Sequence, residues 1–242
     1  MPITTQLFTG AEGSALKLGT AQAATQAYRQ NPLGKTKALF VGFEVVRTIL
    51  AQPDCVGMIF YHAYNEDGNL RFVTTGCTET SAGWLGDLIG DYGKGCPPDC
   101  DFYNEAGLSL LMTEAEYDAF QRQPLKPKAP HFTGAEGGFI SAATAGAWVN
   151  NFQRAHPGVA QGFFFGRQLI EQILAQPTCM GVRQYYCVAP DGTRSMLLVG
   201  SNAAGMDLTQ GLIAGEGIPV QTSLGTAVPA PMVGKHKSKA HA

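Results

Sequence analysis

The sequence predicts an α+β fold made of two tandem copies of a small helix–(strand)–helix–β-hairpin unit, related by a pseudo-twofold axis. Three observations carry this expectation. Sequence blocks recur at a fixed offset of 124 residues. Each copy carries one apolar stripe at helical spacing. Each copy then turns to alternating, aromatic-rich runs on either side of an Asp-Gly pair.

The repeat is read directly from the residues. Phe8-Thr9-Gly10-Ala11-Glu12-Gly13 returns as Phe132-Thr133-Gly134-Ala135-Glu136-Gly137, and Ile49-Leu50-Ala51-Gln52-Pro53 returns as Ile173-Leu174-Ala175-Gln176-Pro177. From Phe8 to Cys77 the alignment needs no gap, and 23 of the 70 positions are identical. A repeat of this length, present twice, is a duplicated domain and not a short-period solenoid.

Each element follows in order. An Ala-rich helix is expected over 20–30 and again over 142–155, ended by Pro32-Leu33-Gly34 and Pro157-Gly158. The short apolar runs 38–41 and 163–165 fit either a strand or the start of the next helix, because four residues show no period. Val45, Val46, Ile49 and Leu50, with Leu169, Ile170, Ile173 and Leu174, form the stripe of a second helix, which Pro53 and Pro177 stop. Strands are expected over 58–64 and 70–75 in the first copy, and over 182–188 and 194–199 in the second. Between the copies, Thr113-Glu114-Ala115-Glu116 is a capping box opening a short helix through Gln123. The expected boundaries are a first repeat over 1–90, a Cys/Pro-containing linker over 91–131, a second repeat over 132–217 and a mobile tail over 218–242.

Composition narrows the function classes. The chain has 242 residues, 45% hydrophobic and 15% charged, with a formal net charge of -2. That is a globular composition without the field of a nucleic-acid binder. No basic-then-apolar leader opens the chain, and no apolar run approaches the roughly 18 residues of a membrane span. A cytoplasmic protein without nucleic-acid or membrane partners is expected.

Chemistry-bearing residues are few. Six cysteines are too sparse for a disulfide scaffold, and Cys55, Cys179 and Cys187 read as small buried hydrophobes. Cys96-Pro97-Pro98-Asp99-Cys100 has zinc half-site spacing. Register counting around Asp67-Gly68 puts His62 and Cys77 on one hairpin face, which makes a composite zinc site of His62, Cys77, Cys96 and Cys100 conceivable. A local Cys96–Cys100 disulfide and two free thiols are the alternatives. Glu12 and Glu136 offer either a paired acid–base or cation site, or two Gly-flanked turns capped by their own carboxylates. Phe60, Tyr61, Tyr64, Tyr185 and Tyr186 form a binding surface if the hairpins are exposed, and core if they are covered. No catalytic triad and no cofactor signature is present. The expected function is non-enzymatic binding or self-assembly, with a protein partner or further copies of the chain engaged. A thiol- or zinc-dependent enzyme or sensor is the alternative, and a small-ligand cleft between the repeats is a third reading.

Overall fold

The computed structural model describes residues 8–80, 85–86, 88–91, 94–96, 109–122 and 132–220, with only the backbone at 94–96 and 114. In chain order the elements are β1 (Ser14–Leu16), α1 (Leu18–Gln30), β2 (Ala38–Gly42), α2 (Phe43–Leu50), β3 (Gly57–Tyr64), β4 (Leu70–Cys77), β5 (Ile89–Asp91), β6 (Lys94–Cys96), a 3-10 turn (Ser109–Leu111), α3 (Glu114–Gln121), β7 (Gly138–Phe139), α4 (Ala142–Ala155), β8 (Gly162–Gly166), α5 (Arg167–Leu174), β9 (Cys179–Val188), β10 (Arg194–Asn202), β11 (Ile213–Gly215) and β12 (Ile218–Val220). The fold is mixed α+β, with the strands arranged in two six-stranded antiparallel sheets. Sheet one runs β1-β11-β10-β9-β2-β6 and sheet two runs β12-β8-β3-β4-β5-β7.

The short apolar runs are strands. All five residues of β2 and all five of β8 are buried. Each lies inside a sheet and is covered on both faces, so it reads as an unbroken apolar run. Their pairing differs from that of two self-contained repeats. β2 joins β9, with Gly42 opposite Gly181, and β8 joins β3, with Gly57 opposite Gly166. Each hairpin is therefore extended by a strand from the other half of the chain. A lone hairpin is marginal in water, and an added strand covers its open edge. Glycine is required where these strands meet. A Cβ on Gly57 would stand 2.4 Å from the Phe165 carbonyl oxygen, and one on Gly181 would stand 2.2 Å from that of Val41.

Three apolar layers result. The central one takes residues from both sheets and from α2 and α5, including Val45, Ile49, Met58, Phe60, Phe72, Ile170, Ile173, Val182 and Leu198. The stripes on α2 and α5 face this layer. Outside sheet two, Ala145 and Val149 of α4 cover Ile59, Tyr61 and Val73. Outside sheet one, Ala21 of α1 and the 3-10 turn cover Tyr185, Cys187 and Leu197. The capping box at α3 is present, with the Thr113 hydroxyl accepting from the Glu116 N–H and the Glu116 carboxylate accepting from the Thr113 N–H.

Two sequence expectations need correction. The segment beginning at 218 is not all tail, since Ile218–Val220 pairs with Phe164–Gly162 as an edge of sheet two; residues 221–242 lie outside the described residues. His62 and Cys77 also lie on opposite faces of their hairpin. A two-residue Asp67-Gly68 turn would set residue 73 opposite His62, four positions from Cys77 and on its face. The observed loop has three residues between Asn65 and Asn69, with Gly68 at φ +74, and it sets Phe72 opposite His62. That one-residue change of register moves His62 to the central layer and leaves Cys77 on the outer face.

Candidate functional site

The aromatic residues expected as a binding surface are packed inside. Phe60, Tyr61, Tyr185 and Tyr186 are buried and Tyr64 is half-buried, because each hairpin has a sheet on one side and a helix on the other. They do not form an exposed stacking face. Instead a row of rings crosses the central layer. Tyr28 stacks on Tyr186 at 5.2 Å, Tyr186 on His62 at 5.3 Å, and His62 meets Phe152 at 4.9 Å. The row joins α1, sheet one, sheet two and α4. His62 is completely enclosed, and its Nδ1 has no hydrogen-bond partner among the described residues. Burial pushes its pKa down to about 3, with Arg194 and His156 adding repulsion. It is a neutral core histidine at neutral pH.

Of the proposed zinc ligands, His62 and Cys77 are not brought together. His62 and Cys77 face different layers, the Cys96 backbone lies in β6 of sheet one, and the Cys96 side chain and all of Cys100 lie outside what is described. Among the described residues no group of three or more His, Cys, Asp or Glu side chains is placed to hold a metal. Cys55, Cys77, Cys179 and Cys187 are free thiols. Burial raises the pKa of each, to about 12 for Cys187, which keeps them protonated and unreactive.

The Gly-Ala-Glu-Gly loops bind protein. The Glu12 carboxylate accepts from the N–H groups of Thr9 (2.5 Å) and Gly10 (2.9 Å), and Glu136 does the same with Thr133 and Gly134. For Glu12, partial burial opposes ionisation, but these bonds outweigh it and hold the carboxyl below its ordinary range. The loop carbonyls are used as well. Gly10 and Glu12 accept from the N–H groups of Gln168 and Gly166 at the start of α5, while Gly134 and Glu136 accept from Glu44 and Gly42 at the start of α2. Each loop thus fills the unpaired donors of a helix N-terminus in the other half of the chain.

A charged network lies outside sheet one. The Arg183 guanidinium donates to Asp207 Oδ1 at 2.6 Å and to the Gly205 carbonyl at 2.8 Å, and the Tyr185 hydroxyl donates to Asp207 Oδ2 at 2.5 Å. Burial works against the charged guanidinium, but Asp207 and Tyr185 outweigh it and hold Arg183 above its ordinary pKa. The network ties the 202–211 loop to β9 and is closed to solvent.

The open site lies between the sheets. A cleft of about 820 Å³ separates the tip of the β9–β10 hairpin from β8 and β12. Its size suits a small molecule. Val159, Phe163 and Pro219 supply apolar wall, while Arg194, Asp191 and Glu216 supply charge. The Arg194 guanidinium lies over the Tyr28 ring at 5.6 Å and donates from one terminal nitrogen to the Asn31 carbonyl at 2.9 Å. The other terminal nitrogen is buried without a hydrogen-bond partner among the described residues. Asp191 accepts at Oδ1 from the N–H and hydroxyl of Thr193, which hold its carboxyl below the usual range. Glu216 accepts at Oε2 from Ser14 at 2.6 Å. Its φ of +54 lies in the left-handed region, which costs a non-glycine residue about 1 kcal/mol or more.

The first half differs at the position matching Arg194. Leu70, 124 positions before Arg194, is buried, and a Cβ on Gly34 would touch its side chain at 3.4 Å. A Cβ on Gly158 would meet nothing within 4 Å. Sequence reading missed Arg194 and Glu216. The visible signal was the arginine that replaces leucine at a matched position. Set against known proteins, the chain matches no family model, no curated protein and no solved structure.

Proposed function

We propose that the chain is a duplicated module, its halves related by a pseudo-twofold axis, and that it is a non-catalytic binding protein for a small ligand held in the cleft between the sheets. The duplication is supported by the strands. β2, β3, β4, β5 and β6 begin at 38, 57, 70, 89 and 94, and β8, β10, β11 and β12 begin at 162, 194, 213 and 218, so four of the five have a counterpart starting 124 positions later. β9 starts two residues early, at 179, but Gly181 holds the place of Gly57. The two sheet orders also correspond strand for strand when read in opposite directions.

The binding reading rests on one observation: a cleft lies open beside Gly158 with the charged Arg194 on its wall, whereas the residue matching Arg194 in the other half is the buried Leu70. A purely structural duplication has no need to set an arginine on an open cleft where the other half buries a leucine. Self-assembly is the weaker reading. The four sheet edges are strands of two or three residues, too short to template another chain, and Phe139 is the one large exposed hydrophobe among the described residues.

Thermal unfolding against a set of amino acids, monocarboxylates, nucleosides and sugars tests the reading. Saturable stabilisation by one class, lost when Val159→Trp fills the cleft, is the expected result. Stabilisation of neither protein, or of both equally, overturns it.

A further inference from the structure

The chemistry of the cleft points to a narrower class of ligand. We infer that it takes an α-amino acid with a large apolar side chain, the carboxylate meeting Arg194, the ammonium meeting Asp191 and Glu216, and the side chain lying against Val159, Phe163 and Pro219. The inference rests on the cleft being the binding site.

Three observations carry it. The first is the charge on the lining, which is one guanidinium and two carboxylates. A monoanion meets net repulsion there, and a phosphate meets more. A neutral sugar leaves all three charges unmatched. A zwitterion answers both signs. The second is the spare bonding capacity of these groups. Arg194 is half-exposed, and the Asn31 carbonyl engages one of its guanidinium nitrogens. The Thr193 and Ser14 bonds engage one oxygen each of Asp191 and Glu216. A carboxylate offers about four acceptor sites and an ammonium three donors, so these bonds leave room for a ligand.

The third is Glu216 itself. It stands at φ +54, immediately before Gly217. Among the described residues the two other non-glycine residues at positive φ, Asp54 and Thr178, are a matched pair just past the ends of α2 and α5, where chains commonly turn left-handed. Glu216 stands instead in the two-residue turn between β11 and β12, where glycine or asparagine is the usual residue at positive φ. A glycine would adopt its backbone without strain, but only glutamate brings a carboxylate to the cleft.

Calorimetric titration with L-phenylalanine, 3-phenylpropionate and L-phenylalaninamide reads the two charges separately. L-phenylalanine is expected to bind at least tenfold tighter than either analogue. Arg194→Leu introduces the side chain found at the matched position 70, and is expected to erase the preference over the amide. Glu216→Gly is expected to raise the unfolding temperature while weakening L-phenylalanine at least threefold and leaving 3-phenylpropionate unchanged. That combination separates a ligand contact from damage to the fold. An analogue bound as tightly as L-phenylalanine overturns the zwitterion inference and leaves the cleft reading standing. So does the failure of L-phenylalanine, L-leucine and L-methionine to bind a protein whose cleft takes another class in the thermal screen. If no class gives stabilisation sensitive to Val159→Trp, the cleft reading itself has failed.

Discussion

The outer faces of the two sheets present the same construction problem with different residues. Outside sheet two, Phe8 packs on Phe164 at 4.1 Å and Ile59 completes an apolar layer. Outside sheet one, the matched rings Phe132 and Phe40 stack at 3.8 Å, but the position matching Ile59 is Arg183, paired with Asp207 and lying near the Phe132 ring at 5.7 Å. Both solutions are fully buried. Apolar packing tolerates small adjustments, because its energy is spread over many weak contacts. A buried ion pair ties both members to one geometry, because either charge left alone is strongly disfavoured. The charged face therefore fixes its loop at 202–211 through a buried ion pair.

Exchange of the two solutions gives the largest expected effect. Ile59→Arg places a guanidinium where no carboxylate is matched to it, and is expected to cost about 4 kcal/mol or more in urea unfolding, or to prevent folding. Asp207→Ala is expected to cost about 3–5 kcal/mol, because Arg183 remains buried without its partner. Replacing both members, Arg183→Leu with Asp207→Leu, is expected to recover most of that loss. If the double variant is no better than Asp207→Ala, the two residues do not act as a pair.

The central row of rings offers a second comparison, between Tyr186 and its matched residue His62. His62 has a folded pKa lowered to about 3 from a reference of 6.5. Stability is therefore complete above pH 6.5 and falls as the pH drops from there towards 3, since the unfolded chain takes up the proton first. Lowering the pH from 7 to 5 is expected to cost the native protein about 2 kcal/mol more than His62→Phe, measured by chemical denaturation at each pH. Equal losses would mean that His62 takes up its proton without unfolding.

The smallest effect belongs to the cleft. Arg194→Leu is expected to change stability by no more than about 1 kcal/mol, because half-exposed Arg194 loses one hydrogen bond and one ring contact. Leu70→Ala, at the matched and buried position, is expected to cost about 2–3 kcal/mol through the cavity it leaves. Similar losses in the two variants would contradict a half-exposed arginine matched to a buried leucine.

Much of this was legible in the residues. The stripe Val45, Val46, Ile49 and Leu50 and its counterpart placed two helices, because helical period and burial coincide. Asp67-Gly68 and Asp191-Gly192 placed both hairpins, but not their register, because an Asp-Gly pair fits loops of two or three residues. The site was less legible. Aromatic residues on alternating strands look the same whether a strand is exposed or covered, and Arg194 lies in no motif.

Local chemistry in the chain settled where helices begin and end, where hairpins reverse and which residues avoid water. Those choices depend on neighbours a few positions away. Which strand lies beside which was decided only in three dimensions, where Gly57 and Gly181 let strands from the other half approach within reach of the backbone. The cleft was decided there too. It exists because two sheets meet at one end with an arginine in one half and a leucine in the other, and no local pattern records the space between surfaces.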